Sequence, residues 1–319
     1  MPLILRPILY LVAGFALALF AGPAWAACTL AGGVTAGFGT RTSYDVRAAT
    51  GGPLAVPTQF SCAKPMPGLL SGDFVSATAV SSNGFRLRSD AGDTIAYRLS
   101  ADSAGTMTFS QGGTSNYLSP TLLRLPSLMT DTDMMPTMFV ALIDTPNLPA
   151  GTYTDTVAVN WSWYLCRKVE LLGGCTLADR DNGTTTLTVS LTVTRDCRIS
   201  APPVAFGTAP LASQFAAVTQ AVAIDCTKGA AYSVSFSGRG SVTRPWRQMK
   251  GPGNSVLRYN LYRPDGTVWD EDSPLRSATA GAGTTTPIQF QPYTARIDPA
   301  QPTPAEGSYS DSISVIVSF

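Results

Sequence analysis

Six cysteines, Cys28, Cys62, Cys166, Cys175, Cys197 and Cys226, are the most reactive side chains in this sequence, and histidine is absent. Without an imidazole there is no Ser-His-Asp triad, no Cys-His pair and no histidine zinc site. Paired carboxylates are the remaining route to hydrolysis, as in glycosidases. Asp131 and Asp133 are candidates, but they sit in a loop segment, where solvated carboxylates are the rule. Glutamate occurs only as Glu170, Glu271 and Glu306. Trp161, Trp163, Tyr164 and Trp246 have the rings to stack on a sugar. Trp161 and Trp163 alternate, however, which puts both on one face of a strand and points to core packing. Arg244, Arg247 and Lys250 make a small basic cluster, expected to be solvated or to touch an assembly partner. These residues predict a protein that is not an enzyme and needs no metal or cofactor.

The leader decides how the cysteines are used. Arg6 precedes an apolar run from Pro7 to Phe20, followed by Ala24-Trp25-Ala26. That is the n-region, h-region and A-x-A site of a secretory signal, so residues 1–26 are expected to be removed, with Ala27 the next-best last residue. The run is short for a spanning helix and stops at Gly22-Pro23. A lipoprotein signal at Cys28 ranks low, because Trp25 is a poor residue three places before it. No second long apolar stretch follows, so an exported, soluble product is expected. In an oxidising compartment an even cysteine count reads as disulfides.

Size and charge narrow the class further. The 319 residues suit two domains of ordinary size. Only 13% are charged and 45% are hydrophobic, which excludes wholesale disorder. Removing Arg6 with the leader leaves 21 basic residues against 21 acidic ones. A neutral chain lacks the basic footprint of a nucleic-acid binder.

The remaining chain carries one plan twice. Cys28 is followed by Val34 and Phe38-Gly39-Thr40, and Cys197 by Val204 and Phe206-Gly207-Thr208. A strand ending in Cys comes next, around Cys62 and Cys226. Then come Ile95-Ala96-Tyr97-Arg98-Leu99 and Leu257-Arg258-Tyr259-Asn260-Leu261. Each half ends with Gly-x-Tyr-x-Asp, at Gly151, Tyr153 and Asp155 and at Gly307, Tyr309 and Asp311. The halves are residues 27–194 and 195–319. The repeat pairs Cys28 with Cys62 and Cys197 with Cys226, and leaves Cys166 with Cys175.

Both halves read as β. Apolar residues alternate at Val157, Val159 and Trp161 and at Ile313, Val315 and Val317. Turn signals stand at Asn83-Gly84, Asn182-Gly183 and Asp265-Gly266. The expected fold is all-β, with two immunoglobulin-like β-sandwich domains. The ends of the halves differ. The first continues into Leu187, Val189, Leu191 and Val193, a closing strand. The second stops at Phe319. Its sandwich is therefore expected to lack a strand and to keep an edge at Ile313, Val315, Val317 and Phe319 that needs a strand from another chain.

The paired Cys and Phe-Gly-Thr openings, the second Cys and the terminal Gly-x-Tyr-x-Asp strand resemble the spore coat protein U domain in both halves. That domain forms subunits of archaic, Csu-type chaperone–usher pili. The resemblance implies donor-strand complementation, first by a periplasmic chaperone and then, at an outer-membrane usher, by the N-terminal strand of the next subunit. Shaft subunits carry an alternating extension before the first Cys, whereas Cys28 follows the expected cut almost at once. The chain is thus expected to accept a strand without giving one, as a two-domain tip adhesin exported to the cell surface. The rival readings are a sugar-binding, lectin-like tip and a secreted coat or shaft subunit.

Three apolar loops of residues 27–194 are the expected surface-binding sites. One carries Met66, Leu69 and Leu70, the second Leu128, Met129, Met134, Met135 and Met138, and the third Leu171 and Leu172. Methionine suits irregular apolar contacts, and five of the eight Met fall in the first two loops. Exposed apolar patches mark interaction sites, here expected to meet a hydrophobic abiotic surface or a host receptor. Similar tip subunits carry hydrophobic finger loops.

Overall fold

The computed structural model describes residues 28–48, 51–63, 72–119, 133–170, 174–237, 246–283 and 289–319. Its strands form two sandwiches in sequence. The first contains β1 (Thr29–Leu30), β2 (Val34–Thr42), β3 (Leu54–Pro57), β4 (Phe60–Ala63), β5 (Phe74–Ser81) and β6 (Arg86–Arg88). It continues with β7 (Thr94–Ser100), β8 (Thr114–Asn116), β9 (Asp133–Met134), β10 (Thr137–Leu142), β11 (Gly151–Val169) and β12 (Cys175–Thr194). The second contains β13 (Cys197–Ser200), β14 (Val218–Cys226), β15 (Ser233–Phe236), β16 (Arg247–Lys250), β17 (Val256–Tyr262), β18 (Leu275–Arg276), β19 (Gln289–Ile297) and β20 (Val315–Ser318).

The two sandwiches share one plan and differ in extent. One layer of the second runs β13-β14-β19-β17-β16. The first has β1 on β4, β9 and β10 on β4 and β3, and then β7 and β6. Breaks turn the two long strands of one half into four short ones in the other. The opposite layer differs in extent. In the first sandwich it runs β8-β5-β11-β12-β2, and in the second only β18-β15-β20. Alternation dictates which residues fill the space between layers. Val157, Val159, Trp161, Leu187, Val189, Leu191 and Val193 are all buried in the first core. Trp269, Phe236 and Tyr293 pack edge to face in the second. The disulfides join Cys28 to Cys62, Cys166 to Cys175 and Cys197 to Cys226, as the repeat predicts.

The repeated Gly-x-Tyr-x-Asp motif acts as a tie between layers. Tyr153 Oη donates to the Pro149 carbonyl at 2.8 Å, and Tyr309 Oη to the Ala305 carbonyl at 2.6 Å. These are the tyrosine corners of sandwich folds. Two residues on, the Asp accepts from the central tyrosine of the other layer. Tyr97 donates to Asp155, and Tyr259 to Asp311, each at 2.7 Å. Burial, and then the neighbouring carboxylate, push both phenols far above the ordinary tyrosine range, so each stays a donor. Asp155 also accepts from Ser81 Oγ and from the Asn83 and Thr156 amides, which fixes the Asn83-Gly84 turn.

Two residues, Arg195 and Asp196, link β12 to β13. A five-residue helix, α1 (Ser43–Arg47), wedges the joint. Thr42 and Asp45 close it with a capping box. Tyr44 donates to the Asp225 carbonyl at 2.5 Å and stacks between Arg47 and Arg198, whose guanidiniums lie 4.9 and 4.1 Å from its ring centroid. Ser43 meets Thr227, Lys228 pairs with Asp93, and Asn147 donates to the Ala282 carbonyl.

One turn signal does not make a turn. Asn182-Gly183 lies inside β12, opposite Trp161 and Ser162. A Cβ at Gly183 would stand 2.7 Å from Leu30 Cδ2, so any larger residue there would have to move the Leu30 side chain. The hairpin instead closes between Glu170 and Gly174, whose backbone groups bond at 2.8 Å.

Two stability predictions follow from this layout. Tyr97→Phe removes a hydrogen bond to a buried carboxylate and should cost about 1.5–3 kcal/mol in denaturant unfolding of the first domain. Tyr259→Phe should cost the second domain less, because Asp311 is open to water. Asp179 accepts from the Cys28 amide at 2.8 Å, from Arg167 at 3.1 Å and from Trp163 Nε1. Burial raises its pKa, but these donors together hold it below the ordinary carboxylate value. A depressed folded pKa adds stability above the unfolded value, near pH 4, that is lost as pH falls through the folded one. Asp179→Asn should therefore lower the first domain's unfolding midpoint at pH 7, and the gap to the parent should close below about pH 4.

Candidate functional site: an open groove and a distal hairpin

Burial at equivalent positions locates the groove. Tyr153, Val157, Val159 and Trp161 on β11 are buried, Tyr153 with none of its surface exposed. Their counterparts, counted from Gly-x-Tyr-x-Asp, are Tyr309, Ile313, Val315 and Val317, and all four are only partly buried. Asp155 is buried and Asp311 is exposed. Phe319 is 49% exposed. The cause is a missing neighbour. β11 pairs with β5 on one edge and with β12 on the other. β20 pairs with β15, and among the described residues its other edge has no strand.

A second strip bounds the groove. In the first domain β2 lies parallel to β12 and brings Phe38 inward. In the second, residues 201–209 form no strand, yet Val204 and Phe206 still point at the core. Phe206 meets Tyr259 edge to face. Gly39 and Gly207, at φ +74° and +77°, make the same left-handed kink in both strips. The groove is thus walled by β20 and by residues 203–209, with an apolar floor.

Arg247 departs from the expected solvated cluster. It is buried rather than solvated. Its guanidinium donates to the Ser237, Trp269 and Phe236 carbonyls, at 2.6, 3.2 and 3.5 Å. Loss of hydration lowers its pKa from the ordinary arginine value. It clamps the end of β15, the strand that holds β20.

The apolar loops are placed in part. Met66, Leu69, Leu70, Leu128, Met129, Leu171 and Leu172 lie outside the described residues. Their described flanks converge at one pole: Ala63 pairs with Asp133, and Phe74 pairs with Tyr164 on the hairpin that carries the Cys166–Cys175 bridge. Met134 and Met138 are corrected. They lie on β9 and β10 and are buried in the first core, not displayed on a loop. Met135, between them, points outward and is 37% exposed. Leu177 is exposed on the same hairpin. Trp161 and Trp163 pack on Phe60 inside the sandwich, so they offer no face to a sugar.

No curated protein sequence matches the chain. Among solved structures, a chain of the CsuC–CsuE chaperone–tip adhesion subunit pre-assembly complex, from archaic chaperone–usher Csu pili of Acinetobacter baumannii, is similar in fold. It shares 19% identity at a TM-score of 0.60, over 92% of this chain and 100% of that one. The CupB6 tip adhesin of Pseudomonas aeruginosa aligns over 92% of this chain and 95% of its own, at 14% identity and a TM-score of 0.35. The spore coat protein U domain matches residues 17–160 and again residues 183–316. On that double match, the chain belongs to the Spore Coat Protein U domain family.

Proposed function

We propose that this chain is the tip adhesin of an archaic chaperone–usher pilus. Its C-terminal domain accepts a donor strand, and its N-terminal domain attaches the cell to a surface and so seeds a biofilm. The observation that carries the reading is the contrast between Tyr153, Val157 and Trp161, buried under β12, and Tyr309, Ile313 and Val317, which lack such a cover. Open apolar grooves with free backbone edges aggregate unless a strand fills them. The similar Acinetobacter protein is described as a tip adhesion subunit in a complex with its chaperone. That description supports a periplasmic chaperone as first occupant of the groove. Exchange at an outer-membrane usher for the leading strand of the next subunit follows, and the tip ends at the cell surface.

Attachment is assigned to the pole where the described flanks of the three apolar segments lie. Met66, Leu69, Leu70, Leu128, Met129, Met135, Leu171 and Leu172 are its candidate contacts, and Met134 and Met138 are not. The partner is a hydrophobic abiotic surface or an apolar patch on a host receptor. Burial of apolar area is worth ~25 cal/mol per Å² before association costs. Many tips per cell add by avidity.

Two measurements test this reading. An alternating Thr-Val strand appended after Phe319 through a tight turn should raise the unfolding midpoint of the second domain and leave the first unchanged. Equal midpoints would remove the acceptor role. Fibre-bearing cells whose tips carry Met66, Leu69 and Leu70, or Leu171 and Leu172, changed to Ser should attach poorly to polystyrene, while fibre number stays normal. Parent-level attachment by both would refute the apolar contact. With no net charge on the mature chain, added salt should weaken attachment little.

A further inference from the structure

The groups of the second domain that hold α1 lie beside one disulfide. Cys197 and Cys226 stand directly opposite each other on β13 and β14, with Cys226 fully buried. Asp225 precedes Cys226, and its carbonyl takes the Tyr44 hydroxyl. Arg198 follows Cys197 and stacks on the Tyr44 ring. Thr227 follows Cys226, and its Oγ1 lies 3.0 Å from Ser43 Oγ. Asp196 and Thr227 extend the ladder past the bridge. The Thr227 amide donates to the Asp196 carbonyl at 2.9 Å, and the Asp196 amide to Thr227 Oγ1 at 2.9 Å. A further contact, Asn147 on the Ala282 carbonyl, rests there too, since the Gly283 amide donates to the Cys226 carbonyl at 2.7 Å.

The repeat supplies a control. The equivalent bridge of the first domain, Cys28–Cys62, stands at the hairpin pole, where the Cys28 amide meets Asp179. There Thr29, Ser61 and Ala63 take the places of Arg198, Asp225 and Thr227. The stacking guanidinium and the hydroxyl facing Ser43 thus belong to the copy on which a domain is docked. β13 is only four residues long, lies at the end of its sheet, and pairs with β14 among the described residues. Segments with so few contacts open first. Asp196 and Arg198 come from the β13 side, and Asp225 and Thr227 from the β14 side. The bridge is the covalent link that keeps these two pairs side by side.

We infer that Cys197–Cys226 is the clamp of the interdomain joint and makes the joint redox-sensitive. Closed, it presents Asp196, Arg198, Asp225 and Thr227 as one seat for α1. Opened, it lets β13 leave β14, unseats Tyr44 and frees the first domain to turn on Arg195 and Asp196. Opening takes two electrons and two protons from a dithiol, which becomes a disulfide, and leaves Cys197 and Cys226 as thiols. Closure by a disulfide oxidant is the reverse. The inference stands apart from the adhesin reading.

Two measurements on the full chain test it. Arg195 is exposed in the linker, so tryptic cleavage after it reports how often the joint opens. Cys197→Ala with Cys226→Ala should speed that cut, and Cys166→Ala with Cys175→Ala should leave it at the parent rate. Loss of the bridge could also loosen the second domain itself, so the converse is measured in a chain that keeps all six cysteines. Coupling between sites is reciprocal. In a dithiothreitol redox buffer, with alkylation and peptide mapping, Tyr44→Ala should shift the Cys197–Cys226 equilibrium about fivefold or more toward the dithiol, the low end of such couplings. The Cys28–Cys62 and Cys166–Cys175 equilibria should not move. Parent-rate cleavage without the bridge overturns the inference. So does an unshifted Cys197–Cys226 equilibrium in Tyr44→Ala, or an equal shift at all three bridges.

Discussion

A β-strand has two edges of backbone donors and acceptors, and both need partners when the strand covers a core. β11 satisfies both, through β5 and β12. β20, built from the same motif, satisfies one, through β15. Two further asymmetries accompany that difference. Residues 203–209 form no strand because the neighbour that would recruit them, as β12 recruits β2, is not there. Ile313, Val315 and Val317 point at a core they do not seal.

The smaller layer of the second domain is tied down by polar contacts. Arg247 lies across from Tyr259, where the first domain sets Phe85 against Tyr97. Phenylalanine suffices when β12 closes the layer. Arginine instead takes three carbonyls at the end of β15 and next to it. Buried guanidiniums cost hydration, and well-placed carbonyls offset it. The Cys197–Cys226 bridge fixes β13 to β14 in the opposite layer.

Much of this was legible in the residues, for reasons that also mark the limit. The doubled Gly-x-Tyr-x-Asp and the paired cysteines gave order and disulfide pairing, because backbone corners and bridges demand particular residues at particular spacings. The contrast between the halves was legible in part: Val157 and Trp161 are buried where Ile313 and Val317, at the matching positions, are only partly buried. Met134 and Met138 were misread as loop residues because strands β9 and β10 are short and interrupted at Pro136, which hides the alternation. Arg247 was misread because its partners are carbonyls, which every residue carries and no sequence advertises. Gly183 mimicked a turn because glycine serves close approach and chain reversal alike.

Direction along the chain ties the two ends together. β12 runs from the hairpin pole toward the joint and passes into β13 after Arg195 and Asp196. The strand that seals the first domain is therefore the same backbone that carries the second. Between the two domains sits α1, with Tyr44 held by Asp225, Arg47 and Arg198. That wedge adds side-chain contacts between the two sandwiches to a linker of only two residues, so the joint does not depend on the backbone alone.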